Sequence, residues 1–238
     1  MKYSHRALLS LVCLTACGCT PQVPPDTRIE ALAMLASQQG STKAEWRLRQ
    51  WADQGASVAQ RELGLLYAKR PARVSESSGW LFKAAQQGDA EAACALGDAL
   101  LSQLVPAPAQ AWPWYVQAAE QGNGRASLML GLLARNGEGV ARDPKLAAHW
   151  LNRAAERGNA HAMFLLANML RDGEGGPADP VRARAWLEQA AEHEYPGAIH
   201  ELALTIQHGD AESPMDELRA QHLFKEANEH RHNNWSQF

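Results

Sequence analysis

From residue 56 onward the chain repeats one apolar signature five times: an Ala, a Leu four positions later, a small residue beside it, and a fourth residue three positions further on. The matches are Ala59-Leu63-Gly64-Tyr67, Ala92-Leu96-Gly97-Leu100, Ala126-Leu130-Gly131-Ala134, Ala162-Leu166-Ala167-Leu170 and Ala198-Leu202-Ala203-Ile206. These offsets set all four residues on one stripe of a helix, and the small residue lets a second helix approach closely. The leading alanines lie 33, 34, 36 and 36 residues apart, a period that predicts a stack of helix–turn–helix units. The second helix of each unit carries a Trp, an apolar neighbour and an Ala-Ala pair: Trp80-Leu81-Ala84-Ala85, Trp114-Tyr115-Ala118-Ala119, Trp150-Leu151-Ala154-Ala155 and Trp186-Leu187-Ala190-Ala191. In the fifth unit the pattern decays to His222-Leu223 and Glu226-Ala227, as expected of a terminal unit whose outer face meets water. The four repeated tryptophans are therefore expected in one packing slot, with Trp235 capping the last unit.

Punctuation agrees with this period. Gly55, Gly88, Gly122 and Gly158 follow the second helices, where a left-handed residue satisfies the last carbonyls. Asn136-Gly137-Glu138-Gly139-Val140 and Asp172-Gly173-Glu174-Gly175-Gly176 supply the turns inside units three and four. Each is followed by an Asp-Pro pair, Asp143-Pro144 and Asp179-Pro180. There the carboxylate accepts from free backbone N–H groups and Pro fits the first helical position; Ser213-Pro214 is expected to do the same in unit five. With no preceding strand and no suitably placed Lys, the Gly-rich loops read as turns and not as phosphate cradles. Units one and two lack the Gly-x-Gly loop, and Pro113 is expected in the first turn of its helix.

These residues resemble the Sel1-like repeat family, relatives of the tetratricopeptide repeats with a Gly-x-Gly-Val loop, and units three and four match best. The resemblance implies an all-α fold, a right-handed α-solenoid of helix–turn–helix repeats over residues 56–230. Residues 26–55 read as a degenerate N-terminal helical pair with Arg47 in the Trp slot, and 231–238 as a C-terminal tail.

Composition adds the compartment. Lys2 and Arg6 flank a charged start, Ala7 to Leu14 is a short apolar run, and Leu14-Thr15-Ala16-Cys17 follows, a signal-peptide pattern too short to span a bilayer. The last four residues resemble the bacterial lipobox, which implies cleavage after residue 16 and a lipidated Cys17. Residues 17–25 then form a Pro-rich tether. Gly18, in place of the Asp that favours inner-membrane retention in enterobacteria, points to the outer membrane, facing the periplasm. Cleavage removes two of the 23 basic residues and leaves 26 acidic ones, a mature balance of −5. No basic stripe exists, which argues against nucleic acid. Of the four cysteines, Cys13 leaves with the signal and Cys94 reads as a small buried hydrophobe, so no disulfide framework is expected.

Projecting tetratricopeptide geometry onto the repeats makes the first helix of each unit line a concave groove. The side chains so selected are Arg61, Asp98, Leu128, Leu132, Arg135, Phe164, Asn168, Arg171, His200 and Gln207, with Arg125 and His161 at the mouth. Their arginines suit an acidic or amphipathic protein segment. No nucleophile–base pair, paired carboxylates or HExxH or CxxC spacing occurs, so neither catalysis, metal nor cofactor is expected; Glu229-His230-Arg231-His232 is the one local run with chelating potential. The resemblance implies a non-enzymatic envelope lipoprotein acting as a scaffold or adaptor. An immunity protein neutralising a secreted phospholipase-type toxin is the alternative. A β-lactam-binding or hydrolysing role, tied in the family to paired cysteines, is the weakest.

Overall fold

The computed structural model describes residues 23–209 and 215–233; the signal segment, Cys17, Cys19, Ser213-Pro214 and Trp235 lie outside them. Among the described residues there are twelve α-helices and no strand. They run α1 (Asp26–Gln38), α2 (Thr42–Asp53), α3 (Ser57–Ala68), α4 (Val74–Gln86), α5 (Ala90–Leu101), α6 (Pro108–Glu120), α7 (Gly124–Asn136), α8 (Pro144–Glu156), α9 (Ala160–Asp172), α10 (Pro180–Glu192), α11 (Pro196–His208) and α12 (Glu217–Asn233). Odd-numbered helices open each pair and even-numbered helices close it. Each packs chiefly on its sequence neighbours, so the chain is an α-solenoid. Units one to five are α3/α4 through α11/α12, preceded by the pair α1/α2.

The small residue of each stripe is a notch. A Cβ added at Gly64 would lie 2.7 Å from Leu81 Cγ, one at Gly97 2.6 Å from the Tyr115 ring, and one at Gly131 2.7 Å from Leu151 Cγ. The residue after the Trp therefore seats against the bare backbone of the paired helix, and the helices close to a distance that a methyl group would prevent. Ala84, Ala85, Ala118, Ala119, Ala154 and Ala155 are all at most 1% exposed, which places the Ala-Ala pairs in the same seam.

Side-chain caps fix where several of the helices begin. Asp143 accepts from the N–H groups of Lys145 and Leu146, and Asp179 from that of Arg182. The opening helices α5, α7 and α9 are capped too: Asp89, Asn123 and Asn159 accept from the N–H groups of Ala92, Ala126 and Ala162. Neighbouring units are stitched by a side chain three places after the repeated Trp. Gln117 donates to the Ala85 carbonyl at 2.6 Å and Arg153 to the Ala119 carbonyl at 3.0 Å. Each thereby adds a second hydrogen bond to a carbonyl at the end of the preceding closing helix, which also accepts the N–H of Gly88 or Gly122.

The second glycine of the Gly-x-Gly loops has a specific reason. Gly175 has φ +90°, and a Cβ on it would stand 2.5 Å from the Pro144 carbonyl oxygen. Gly139, at φ +73°, abuts Pro108 and Ala109 in the same way. The loop of one unit thus lies directly on the backbone that starts the closing helix of the unit before.

Two expectations need correction. Pro113 sits inside α6 and not in its first turn, because Pro108 already occupies the first position. An interior Pro leaves one carbonyl of the preceding turn without its helical donor, and here the ring faces solvent while Ala111, Tyr115 and Ala118 hold the opposite side in the core. The four tryptophans also divide. Trp80 and Trp150 are buried, whereas Trp114 and Trp186 are half-exposed, and Trp114 lies edge-on to the exposed Phe82 at 5.5 Å.

Candidate functional site: the face of the opening helices

α1 touches α3 and α3 touches α5, across the closing helix between them. Direct contact between these opening helices marks their side as the shorter, inner side at the N-terminal end of the stack. Helical spacing brings Leu128, Leu132 and Arg135 to one face of α7, Phe164, Asn168 and Arg171 to one face of α9, and His200 and Gln207 to one face of α11.

The charged members of this face are already answered from within the chain. Arg61, only 12% exposed, reaches Glu30 at 2.8 Å, Glu62 at 2.9 Å, Asp89 at 3.2 Å and Glu91 at 3.5 Å. It joins three successive units through one guanidinium. Although burial alone would lower its pKa, those carboxylates raise it and keep it charged. Arg125 pairs with Asp98 at 3.0 Å, and Asp98 also accepts the Tyr115 hydroxyl at 2.8 Å. Burial and that carboxylate push the phenol strongly upward, so it remains a donor. Arg135 pairs with Glu174 at 2.9 Å, Arg142 holds the other oxygen of Glu174 at 2.8 Å, and Arg171 pairs with Glu201 and with Asp172. Each of these groove arginines is thus bound to a carboxylate of an adjacent unit, across 27 to 39 residues of sequence.

What remains open is apolar and aromatic. Leu128 is 9% exposed and packs in the core, as does Cys94, whose thiol burial pushes up to about 12. Leu132 and Phe164 are half-buried and Leu204 is exposed. His161 stacks on Tyr195 with ring centroids 5.3 Å apart and planes 13° from parallel, and Phe164 meets the same ring at 5.1 Å. Burial lowers the His161 pKa, so this imidazole stays neutral near neutrality. Asn168 has its side-chain oxygen enclosed with no hydrogen-bond partner among the described residues. His200 is exposed beside Phe224, and Gln207 is half-buried. Between α9, α10 and α11 a crevice of about 310 Å³ has Ala167, Leu187 and Leu202 on its walls and the Arg171–Glu201 pair at its edge. Thr205 lines it, at the position where Leu133 and Met169 are buried in units three and four.

Sequence reasoning missed Glu174 and Tyr195. Glu174 looked like a turn residue because its partners lie 32 and 39 residues away; its repetition of the loop position of Glu138 was the only available signal. Tyr195 replaces the Asp or Asn cap found at the start of the three preceding opening helices, α5, α7 and α9, and that departure marks the aromatic cluster. Among the described residues no group of three or more His, Cys, Asp or Glu side chains is disposed to hold a metal ion; His230 lies 3.4 Å from Glu194 and 3.9 Å from Glu226. No described helix is long and apolar enough to cross a membrane.

The architecture has close counterparts. The chain is similar to c5321, a protective antigen present in uropathogenic Escherichia coli strains displaying an SLR fold, with 27% identity over 86% of this chain and a TM-score of 0.74. It spans 46% of that protein's length. A Sel1 repeat protein from Oxalobacter formigenes is similar over 85% of both chains, with 27% identity and a TM-score of 0.71. A sel1 repeat protein from Klebsiella pneumoniae subsp. pneumoniae, at 22% identity over 78% of this chain and 96% of that one, shares the fold with a TM-score of 0.50. No curated protein matches the sequence. The Sel1 repeat model matches residues 79–89, 90–123, 124–159, 160–195 and 196–232, joint for joint with the helix pairs described above from α4 onward, and the chain therefore belongs to the Sel1 repeat family.

Proposed function

We propose that this chain is a non-catalytic scaffold of the bacterial cell envelope, held through lipid on Cys17 at the outer membrane and facing the periplasm, and that it docks a protein partner along α7, α9 and α11. One observation carries the docking face. After the inner arginines are taken up by carboxylates of neighbouring units, a run of partly exposed apolar and aromatic side chains remains, namely Leu132, Phe164 with Tyr195, and Leu204. Aromatic and aliphatic anchors ringed by fixed ion pairs suit an amphipathic helix better than a simply acidic strand. The anchor reading rests on the lipobox resemblance at Leu14-Thr15-Ala16-Cys17.

The experiment compares capture of envelope proteins by the mature chain and by Leu132→Ser/Leu204→Ser, with helical circular dichroism as the folding control. We expect specific capture by the first and its loss in the second; equal capture by both would overturn the face. Cys17→Ser should release the chain from membranes in cells, and membrane retention of that variant through an integral association would overturn the anchor.

A further inference from the structure

The first pair, α1/α2, ends the solenoid with an unusual surface. Terminal repeats normally turn a polar outer face to water. Here a cleft of about 380 Å³ between α1 and α2 is lined by Arg28, Leu32, Leu35, Lys43, Arg47 and Trp51, among others. Arg47 occupies the slot where units one to four carry Trp80, Trp114, Trp150 and Trp186, so the fold has exchanged a core aromatic for a cation at its open end.

These three cations differ from the arginines of the inner face. None of Arg28, Lys43 and Arg47 is ion-paired to a carboxylate of the described residues, whereas Arg61, Arg70, Arg73, Arg125, Arg135 and Arg171 all are. The carboxylates of the same helices are drawn away from the cleft: Glu30 to Arg61, and Glu45 to Arg70 at 2.8 Å and Arg73 at 2.7 Å. Positions 28, 32 and 35 share one face of α1, and positions 43, 47 and 51 share one face of α2; Asp26 and Asp53 lie off both. Beside the cleft, Trp46 is 56% exposed, with the Arg47 guanidinium 5.5 Å from its ring, and Leu35 is also exposed.

Cations without partners, an exposed indole and an exposed leucine on one end face make an interfacial surface. Its occupant follows from where the chain comes from. At most about 3.5 Å of chain per residue separates Cys17 from Asp26, roughly 30 Å in all, and the end face begins at Asp26. We propose that the α1/α2 end of the solenoid docks on the anionic phospholipid headgroups of the membrane that holds Cys17, with Arg28, Lys43 and Arg47 among the phosphates and Trp46 at headgroup depth. This rests on the lipid-anchor reading of Cys17. The solenoid then stands on its α1/α2 pair, with the faces of α7, α9 and α11 carried away from the bilayer.

The test uses the mature chain with Cys17→Ser, which carries no lipid, and sedimentation with vesicles of phosphatidylcholine alone or with three-tenths phosphatidylglycerol. Each basic side chain near an anionic surface contributes roughly fivefold in partitioning, so three contribute roughly 100-fold. We expect binding to the phosphatidylglycerol vesicles only, weakened by salt, lowered about 100-fold by Arg28→Gln/Lys43→Gln/Arg47→Gln, and unchanged by Lys69→Gln/Lys145→Gln/Lys225→Gln. Absence of binding, equal binding to both vesicle types, or binding indifferent to the first triple substitution overturns the proposal. Palmitate labelling of the wild-type chain reads the anchor separately. Label without vesicle binding overturns the docking face alone; vesicle binding without label sustains the face and overturns the lipidated cysteine.

Discussion

Gly173, Gly175 and Gly176 stand within four residues of one loop and meet three different environments, so substituting each by Ala separates backbone strain from crowding. Gly176 has an ordinary backbone and nothing within 4 Å of an added Cβ; Gly173 has φ +68° but no neighbour closer than 3.4 Å; Gly175 combines φ +90° with the Pro144 carbonyl oxygen at 2.5 Å. A left-handed conformation costs a residue with a Cβ about 1–2 kcal/mol. The contact at Gly175 is with backbone, which cannot swing aside as a side-chain tip does, so relief requires lifting the unit-four loop off the start of α8. Overpacking of that kind costs a further ~1–3 kcal/mol. We therefore expect Gly176→Ala to be neutral within about 0.5 kcal/mol, Gly173→Ala to cost about 1–2 kcal/mol, and Gly175→Ala about 2–5 kcal/mol. At roughly 2–4 °C per kcal/mol for a chain of this size, Gly175→Ala should lower Tm by about 4–20 °C, measured by circular dichroism at 222 nm. Because the damaged joint lies between units three and four, the transition should also broaden as the two halves uncouple. If Gly175→Ala melts no lower than Gly173→Ala, the loop-on-helix contact does not hold the units together and the argument fails.

Further expectations follow from the ion pairs and the buried titratable groups. Arg61→Leu should lower stability by about 3 kcal/mol in urea unfolding, because it strands Asp89 and Glu62 in a largely buried setting; Arg61→Lys should recover only part, lacking the planar fork that serves four carboxylates. Burial holds the His161 pKa below its value in the unfolded chain, so the unfolded state takes up the proton first as pH falls. Stability should decline from about pH 6.5 downward through the folded-state value, and His161→Phe should flatten that decline in melts between pH 7.5 and 5. Cys94, buried and with its thiol pushed up to about 12, should resist a thiol reagent in the native chain and react promptly in urea; rapid native reaction would refute its place in the core.

Local chemistry was legible and long-range chemistry was not. The Ala-Leu-Gly stripe, the Trp-x-x-x-Ala-Ala closing helix and the Asp-Pro starts each act within a few residues, so the pattern fixed the helices and their pairing. The same local cues at Asp89, Asn123 and Asn159 were present, directly after Gly88, Gly122 and Gly158, yet went unread as caps. Pro113 misled because the usual rule for Pro assumes one helix start, and Pro108 had already taken it. The inner arginines were correctly placed on one face of their helices, but their pairing with Glu30, Asp89, Glu174 and Glu201 depends on how units stack. No spacing within a single helix reports that. Those pairings shift the expected recognition chemistry from charge toward the aromatic surface around Tyr195.

Unit three is held by parts that each unit carries: a side chain from α8 onto the end of α6 in unit two, a loop glycine from unit four onto the start of α8, and, within the unit, Leu151 in the notch at Gly131. A tandem duplication of residues 124–159 would bring its own copy of every one of these parts and regenerate two sound joints where there was one. Chain length in such a molecule is free to drift by whole repeats under gene duplication, while an insertion that is not a whole repeat must be absorbed in a loop or break a joint. That makes the length of the solenoid, and not the chemistry of its seams, the property on which duplication acts most easily.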